Sequence, residues 1–144
     1  MLNNFLILGR ILAIDFGTKR VGIAVSDPLQ IIASGLATVQ TKEVILYLEE
    51  YFKKEQVDSV VIGEPKTLDN KPSDITVEIE AFINQLKKKF PGIKIERVDE
   101  RFTSKMAFQA MIDGGLGKKS RRDKALVDKI SATIILQSYM ERKK

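Results

Sequence analysis

The apolar positions of this 144-residue chain change period along its length, which predicts strands and helices in alternation. Ile11-Leu12-Ala13-Ile14 is a continuous apolar run closed by Asp15-Phe16-Gly17, the pattern of a buried strand entering a turn. Val21-Gly22-Ile23-Ala24-Val25 follows after only Thr18-Lys19-Arg20, close enough to be its antiparallel hairpin partner. Leu36 to Gln40 reads as a third strand. Over residues 42–55 the period becomes helical, with Val44, Leu48, Tyr51 and Phe52 on one face. Val60-Val61-Ile62 is then a short buried strand that stops at Gly63-Glu64-Pro65.

Lys66 to Ser73 is polar, with Asp69, Asn70 and Pro72, and reads as a loop. Ile75, Ile79, Phe82, Ile83, Leu86 and Phe90 are helically spaced, and Pro91-Gly92 ends that helix. Ile93 and Ile95 alternate with Lys94 and Glu96 as a strand, but the alternation slips at Val98, where a bulge is one explanation. Thr103 or Ser104 can cap a short helix reaching about Asp113. Gly114-Gly115-Leu116-Gly117 breaks it, and the basic run Lys118 to Lys124 leads into a last helix, about Arg122 to Glu141, expected to bury Val127, Ile130, Ile134 and Ile135. The order β-β-β-α-β-α-β-α-α predicts an α/β protein with a mixed sheet and helices on its faces. Nothing divides it, so residues 1–144 read as a single domain.

Composition narrows the chemistry. The chain has no His, Cys or Trp. A Ser-His-Asp triad, a His general base, disulfides, a thiol nucleophile and thiolate zinc sites are therefore excluded. Side-chain metal ligands must then be mainly carboxylates, which favour hard ions such as Mg²⁺ or Mn²⁺. Twenty-four Lys and Arg against 19 acids leave a net charge of +5, which attracts phosphate backbones. The longest nearly apolar stretch, Phe5 to Ile14, is interrupted by Gly9 and Arg10 and is too short to span a bilayer. Met1 to Leu8 lacks a basic n-region, so no signal peptide and no membrane partner are expected, and the expected location is cytoplasmic.

Acids that close strands lie at the sheet rim, where ligands of open α/β sheets bind. Asp15, Glu64 and the pair Asp99/Glu100 occupy such places, and Asp128 sits on the last helix with Ala132 and Ile135 at i+4 and i+7. Two or three of these carboxylates converging would make a divalent-metal site able to support phosphodiester hydrolysis. The competing readings are local. Asp15 could bond its own turn, Glu100 could pair with Arg101, and Asp128 could pair with Lys124 at i−4.

Asp15-Phe16-Gly17-Thr18-Lys19-Arg20-Val21-Gly22-Ile23-Ala24-Val25-Ser26-Asp27 closely resembles the opening motif of the YqgF family, also called RuvX. Gly63-x-Pro65 with Asp69, Asp99-Glu100-Arg101-Phe102-Thr103-Ser104 with Ala107, and Asp128-x-x-Ser131-Ala132 with Ile135-Leu136-Gln137-Ser138-Tyr139 extend the resemblance in order from Arg10 onward. Residues 1–9 lie outside it and read as a short N-terminal extension. The departures are Glu64 where an apolar residue is usual, Asn70 for Gly, Phe102 for Leu and Ser131 for Ala; none removes a ligand. The resemblance implies a ribonuclease-H-like fold, with a mixed five-stranded sheet of three antiparallel strands and then parallel additions, flanked by about four helices. It also implies a catalytic and metal-binding triad of Asp15, Glu100 and Asp128, taking Mg²⁺ or Mn²⁺. Glu64 and Asp99 stand as extra carboxylates, and Asp99 rather than Glu100 remains open as the ligand.

The implied activity is nuclease chemistry on structured nucleic acid, either 5′-end processing of pre-16S ribosomal RNA or Holliday-junction resolution in branched DNA. Lys19, Arg20, Arg101, Lys118, Lys119, Arg121, Arg122 and Lys124 are the candidate phosphate contacts. No sequence-reading module accompanies them. A monomer serves RNA end processing, whereas a homodimer suits paired nicks in a junction. The alternative is a non-catalytic nucleic-acid-binding or ribosome-associated factor on the same fold. A third reading, Asp15-Phe16-Gly17-Thr18 as the phosphate loop of an actin-like ATPase, needs two such domains, and 144 residues supply one half at most.

Overall fold

Strand β1 (Arg10–Phe16) is apolar on both faces because it is the middle strand of the sheet. The computed structural model describes residues 9–64, 75–99 and 123–143. In these, β1 pairs antiparallel with β2 (Arg20–Ser26), which pairs antiparallel with β3 (Ala33–Gln40). On its other side β1 runs parallel to β4 (Val57–Glu64), which runs parallel to β5 (Lys94–Asp99). The order is β3-β2-β1-β4-β5, the mixed five-stranded sheet expected from the pattern.

Pleating divides the core in two. Leu12, Ile14, Phe16, Val21, Ile23, Val60 and Ile62 face α1 (Val44–Lys54) and α2 (Ile75–Lys89), where they meet Leu48, Ile79, Phe82, Ile83 and Leu86. Each such aliphatic side chain, fully removed from water, stabilises the fold by about 1.5–3 kcal/mol. The alternate residues Ile11, Ala13, Ala24, Val61 and Val98 face α3 (Lys124–Lys143). That face carries smaller side chains, and among the described residues α3 lies close upon it.

Several expectations shift. Asp15 and Phe16 belong to β1 rather than to a turn. β3 begins at Ala33, three residues before the apolar signal, because Ala33-Ser34-Gly35 pairs by backbone with Ser26, Val25 and Ala24. There is no bulge at Val98. The β4–β5 register runs unbroken from Ser59↔Lys94 to Glu64↔Asp99, and the apparent slip arises because Ile95 packs on the α1/α2 face and Val98 on the α3 face. α3 starts after Asp123, whose Oδ1 accepts the Ala125 and Leu126 amides at 3.1 and 3.3 Å. Its buried stripe is Ala132, Ile135, Leu136 and Met140; Val127, Ile130 and Ile134 are only half-buried. The expected helix from Thr103 to Asp113, the Gly114–Gly117 break and most of the basic run lie outside the described residues. Three α-helices are described.

Candidate active site

Asp15 lies on the α3 face of the sheet, next in the alternation after Ile11 and Ala13. Its cross-strand partner is Gly22. A Cβ on Gly22 would stand 2.0 Å from the carbonyl oxygen of Asp128, so the α3 backbone rests directly on this glycine. Asp128 extends the buried stripe of α3 by one turn before Ala132. The two acids therefore occupy neighbouring positions on one face, at the end of the central strand. Asp15 is half-buried and the Asp128 side chain is 24% exposed, so neither is an ordinary solvated surface charge. The sequence marks Gly22 only as a glycine inside a strand, a signal for close backbone approach that does not say what approaches.

Arg20, at the start of β2 and two residues before Gly22, is on this same face. Its Nε donates to Asp128 Oδ2 at 2.9 Å. Asp128 is thus held by a cation 108 positions away in sequence, and not by the Lys124 expected from helix spacing. Lys19 is exposed at the hairpin tip, which is tied to the end of β3 at two points. Thr41 Oγ1 donates to the Gly17 carbonyl at 2.6 Å, and the Thr41 amide donates to the Lys19 carbonyl at 3.0 Å. Gly17 is needed there, since a Cβ would meet the Arg20 carbonyl oxygen at 2.5 Å. Lys124 is exposed in the first turn of α3.

Glu64 and Asp99 are placed differently. They are register partners at the ends of β4 and β5, both on the α2 face, away from Asp15 and Asp128. Glu64 Oε1 accepts from Arg97 at 2.7 Å, and Arg97 also grips Glu80 of α2 through both of its terminal nitrogens. Hydrogen bonding to Arg97 holds the Glu80 carboxyl below its ordinary pKa, and the two glutamates push the guanidinium of Arg97 up. This cluster ties α2 to the sheet edge. Glu100, Arg101, Lys118, Lys119, Arg121 and Arg122 lie outside the described residues.

The donor chemistry fits a hard divalent cation, because Asp15 and Asp128 both bring carboxylates to the α3 side of the sheet. Among the described residues no group of three or more acids gathers that could hold a metal ion; Asp15 and Asp128 stand as a pair.

A family model described as RuvX, Holliday junction resolvase, matches residues 9–142. A protein of Christiangramia forsetii named "Putative pre-16S rRNA nuclease" is 63% identical over 133 residues, which cover 92% of this chain and 98% of that one. A protein of the same name from Flavobacterium psychrophilum is 60% identical, covering 93% and 98%. Among solved structures, fowlpox virus resolvase with its Holliday junction DNA superposes with a TM-score of 0.60 at 17% identity, covering 93% and 98% of the two chains. T. thermophilus RuvC with a Holliday junction substrate gives 0.54 at 17% identity, covering 92% and 96%. At that identity the likeness concerns the fold, which is ribonuclease-H-like.

Proposed function

The chain belongs to the RuvX family, and on that premise we propose that it is a divalent-metal-dependent nuclease hydrolysing phosphodiester bonds in structured nucleic acid. The observation that carries this reading is the stacking of Asp128 on Gly22, the cross-strand partner of Asp15. It makes two carboxylates from opposite ends of the sequence neighbours over one sheet face.

In this reading Asp15, Glu100 and Asp128 hold Mg²⁺ or Mn²⁺. Asp99 points to the α2 face with Glu64, so the alternation that sets Val98 toward α3 favours Glu100 as the third ligand. When bound, the cation supplies Lewis acidity at the phosphodiester and lowers the pKa of water. With no His or Cys in the chain, these carboxylates and the substrate phosphate are the proton acceptors at hand. Lys19, Arg20, Arg101, Lys118, Lys119, Arg121, Arg122 and Lys124 contact backbone phosphates, which positions the strand without reading bases.

The name carried by relatives at 60% identity and above supports precursor ribosomal RNA as the first substrate to test, and the family description supports branched DNA as the second. The test is side-by-side cleavage of a pre-16S 5′-leader RNA and a synthetic four-way DNA junction, with Mg²⁺ and with Mn²⁺. Cutting of the RNA in preference to the junction is expected. Binding of both with turnover of neither would favour a non-catalytic factor on the same fold.

A further inference from the structure

Beside the paired acids, the hairpin tip and the end of β3 enclose an open depression lined by Thr18, Lys19, Arg20, Gln40, Thr41 and Lys42. We propose that this depression binds one backbone phosphate of the substrate strand, adjacent to the phosphodiester at the Asp15/Asp128 site. The inference rests on the reading of this chain as a nucleic-acid enzyme and adds a second phosphate position, with Lys42 as its new residue.

Three features carry it. Among the described residues, the lining holds three cations and no carboxylate, in a chain whose net charge is only +5. Lys19 and Lys42 are exposed, with ammonium groups on flexible stems suited to a phosphate as point charges. Thr18 and Gln40 add neutral polar groups from the two sides. The depression is also built before any ligand arrives. Thr41 spends its hydroxyl on Gly17 and its amide on Lys19, locking the tip of one hairpin against the end of the next strand. A preformed anion site loses less conformational entropy on binding than one assembled around its ligand.

Its position is the third feature. Arg20 belongs to the lining and bonds Asp128 through Nε, so the depression and the acid pair share one residue. A guanidinium has five N–H donors, enough to hold a carboxylate and meet a phosphate oxygen together. A strand laid across Arg20 therefore places one phosphate over the depression and a neighbouring one over the acids.

The experiment measures the affinity of the intact protein for the leader RNA and the four-way junction in EDTA, across a series of KCl concentrations. Wild type, Lys42→Gln and Lys19→Gln are compared with Lys88→Gln, which removes a cation from exposed α2. A lost phosphate contact lowers the log–log salt slope by about 0.7–0.9. That drop, with weaker binding, is expected for Lys42→Gln and Lys19→Gln and not for Lys88→Gln. Slopes equal to wild type in the first two variants, with wild type binding and cutting normally, overturn the phosphate position alone. An equal drop in Lys88→Gln overturns it too, by tracing the effect to general surface charge. A wild type that neither binds nor cuts either substrate overturns this inference and the proposed function together.

Discussion

Arg20 Nε donates to Asp128 Oδ2 at 2.9 Å, joining the first residue of β2 to the fifth residue of α3 over the Gly22 backbone. Both side chains keep some contact with water, so the pair itself contributes about 0.2–1 kcal/mol to stability. Its larger consequence is electrostatic, because a guanidinium bonded to Asp128 Oδ2 would compete with a divalent cation for that carboxylate. Arg20→Gln should therefore bind Mn²⁺ more tightly than wild type, by several-fold, while binding nucleic acid more weakly. Mn²⁺ titration followed by electron paramagnetic resonance reads the first effect. Weaker Mn²⁺ binding in the variant would mean that Arg20 chiefly orients the carboxylate.

Gly22 and Gly35 make a graded pair under α3. A methyl group at Gly22 meets main chain, the Asp128 carbonyl at 2.0 Å, and the helix must lift to admit it. At Gly35 the nearest atom is Cγ of Lys129, at 2.7 Å on a long flexible stem. Gly22→Ala should cost about 1–3 kcal/mol in urea unfolding, the usual range for overpacking, and should slow cleavage by shifting Asp128. Gly35→Ala should cost less on both counts. Equal costs would mean that α3 yields as easily over β2 as over β3.

The ion-pair cluster Glu64–Arg97–Glu80 separates the acids that close strands into two groups. Glu64→Gln and Asp99→Asn should keep cleavage within about threefold of wild type, whereas Glu100→Gln should lose it. The threefold allowance corresponds to about 0.65 kcal/mol in barrier height, and both side chains lie on the opposite sheet face from Asp15 and Asp128. Loss of cleavage in Asp99→Asn with Glu100→Gln active would reverse the assignment of the third ligand.

At the opposite end of β2, Asp27 accepts the amides of Ile32 and Ile31, both at 2.7 Å, and of Leu29 at 3.1 Å. The bond from Ile32 leads in holding its carboxyl below the ordinary value, against a partly opposing effect of burial. A depressed folded pKa stabilises the protein above the unfolded value of about 3.9, and that contribution is lost as pH falls through the folded value. Asp27→Asn should therefore be less stable than wild type at pH 7, with the gap closing below about pH 4. Denaturant unfolding at the two pH values measures it; a gap that persists in acid would place the effect in packing instead of charge.

Much of this architecture was legible because β1 and β2 are buried on both faces and α1 and α2 on one. Runs such as Ile11–Ile14 and the spacing of Ile79, Phe82, Ile83 and Leu86 announce their elements directly. β3 was legible only in part, since an edge strand held by backbone pairing needs no apolar run, and Ala33-Ser34-Gly35 has none. The sequence pattern of α3 points toward Val127, Ile130 and Ile134 where the structure buries Ala132, Leu136 and Met140, because an apolar-rich helix offers several candidate faces. The residues that decide are small ones on the sheet: Ala13 and Ala24, clustered with Ala132 and Ile135, and Gly22 beneath Asp128. Asp15 and Asp128 could be nominated from their motifs. That Arg20 lies between Asp128 and the depression beside it depends on a contact across 108 positions, which no local pattern encodes.

The most direct measurement is the single-turnover cleavage rate of Asp15→Asn against wild type, on the leader RNA and on the four-way junction, at saturating Mn²⁺ and saturating protein. Substitutions one step removed from a metal typically cost about 10–100-fold, so replacing a ligand should cost at least about 100-fold. The variant should remain folded and still bind its substrate, because Asp15 is not part of the packed apolar core. A rate within about twofold of wild type would contradict the assignment of Asp15 to the metal site, and with it the nuclease centre described above.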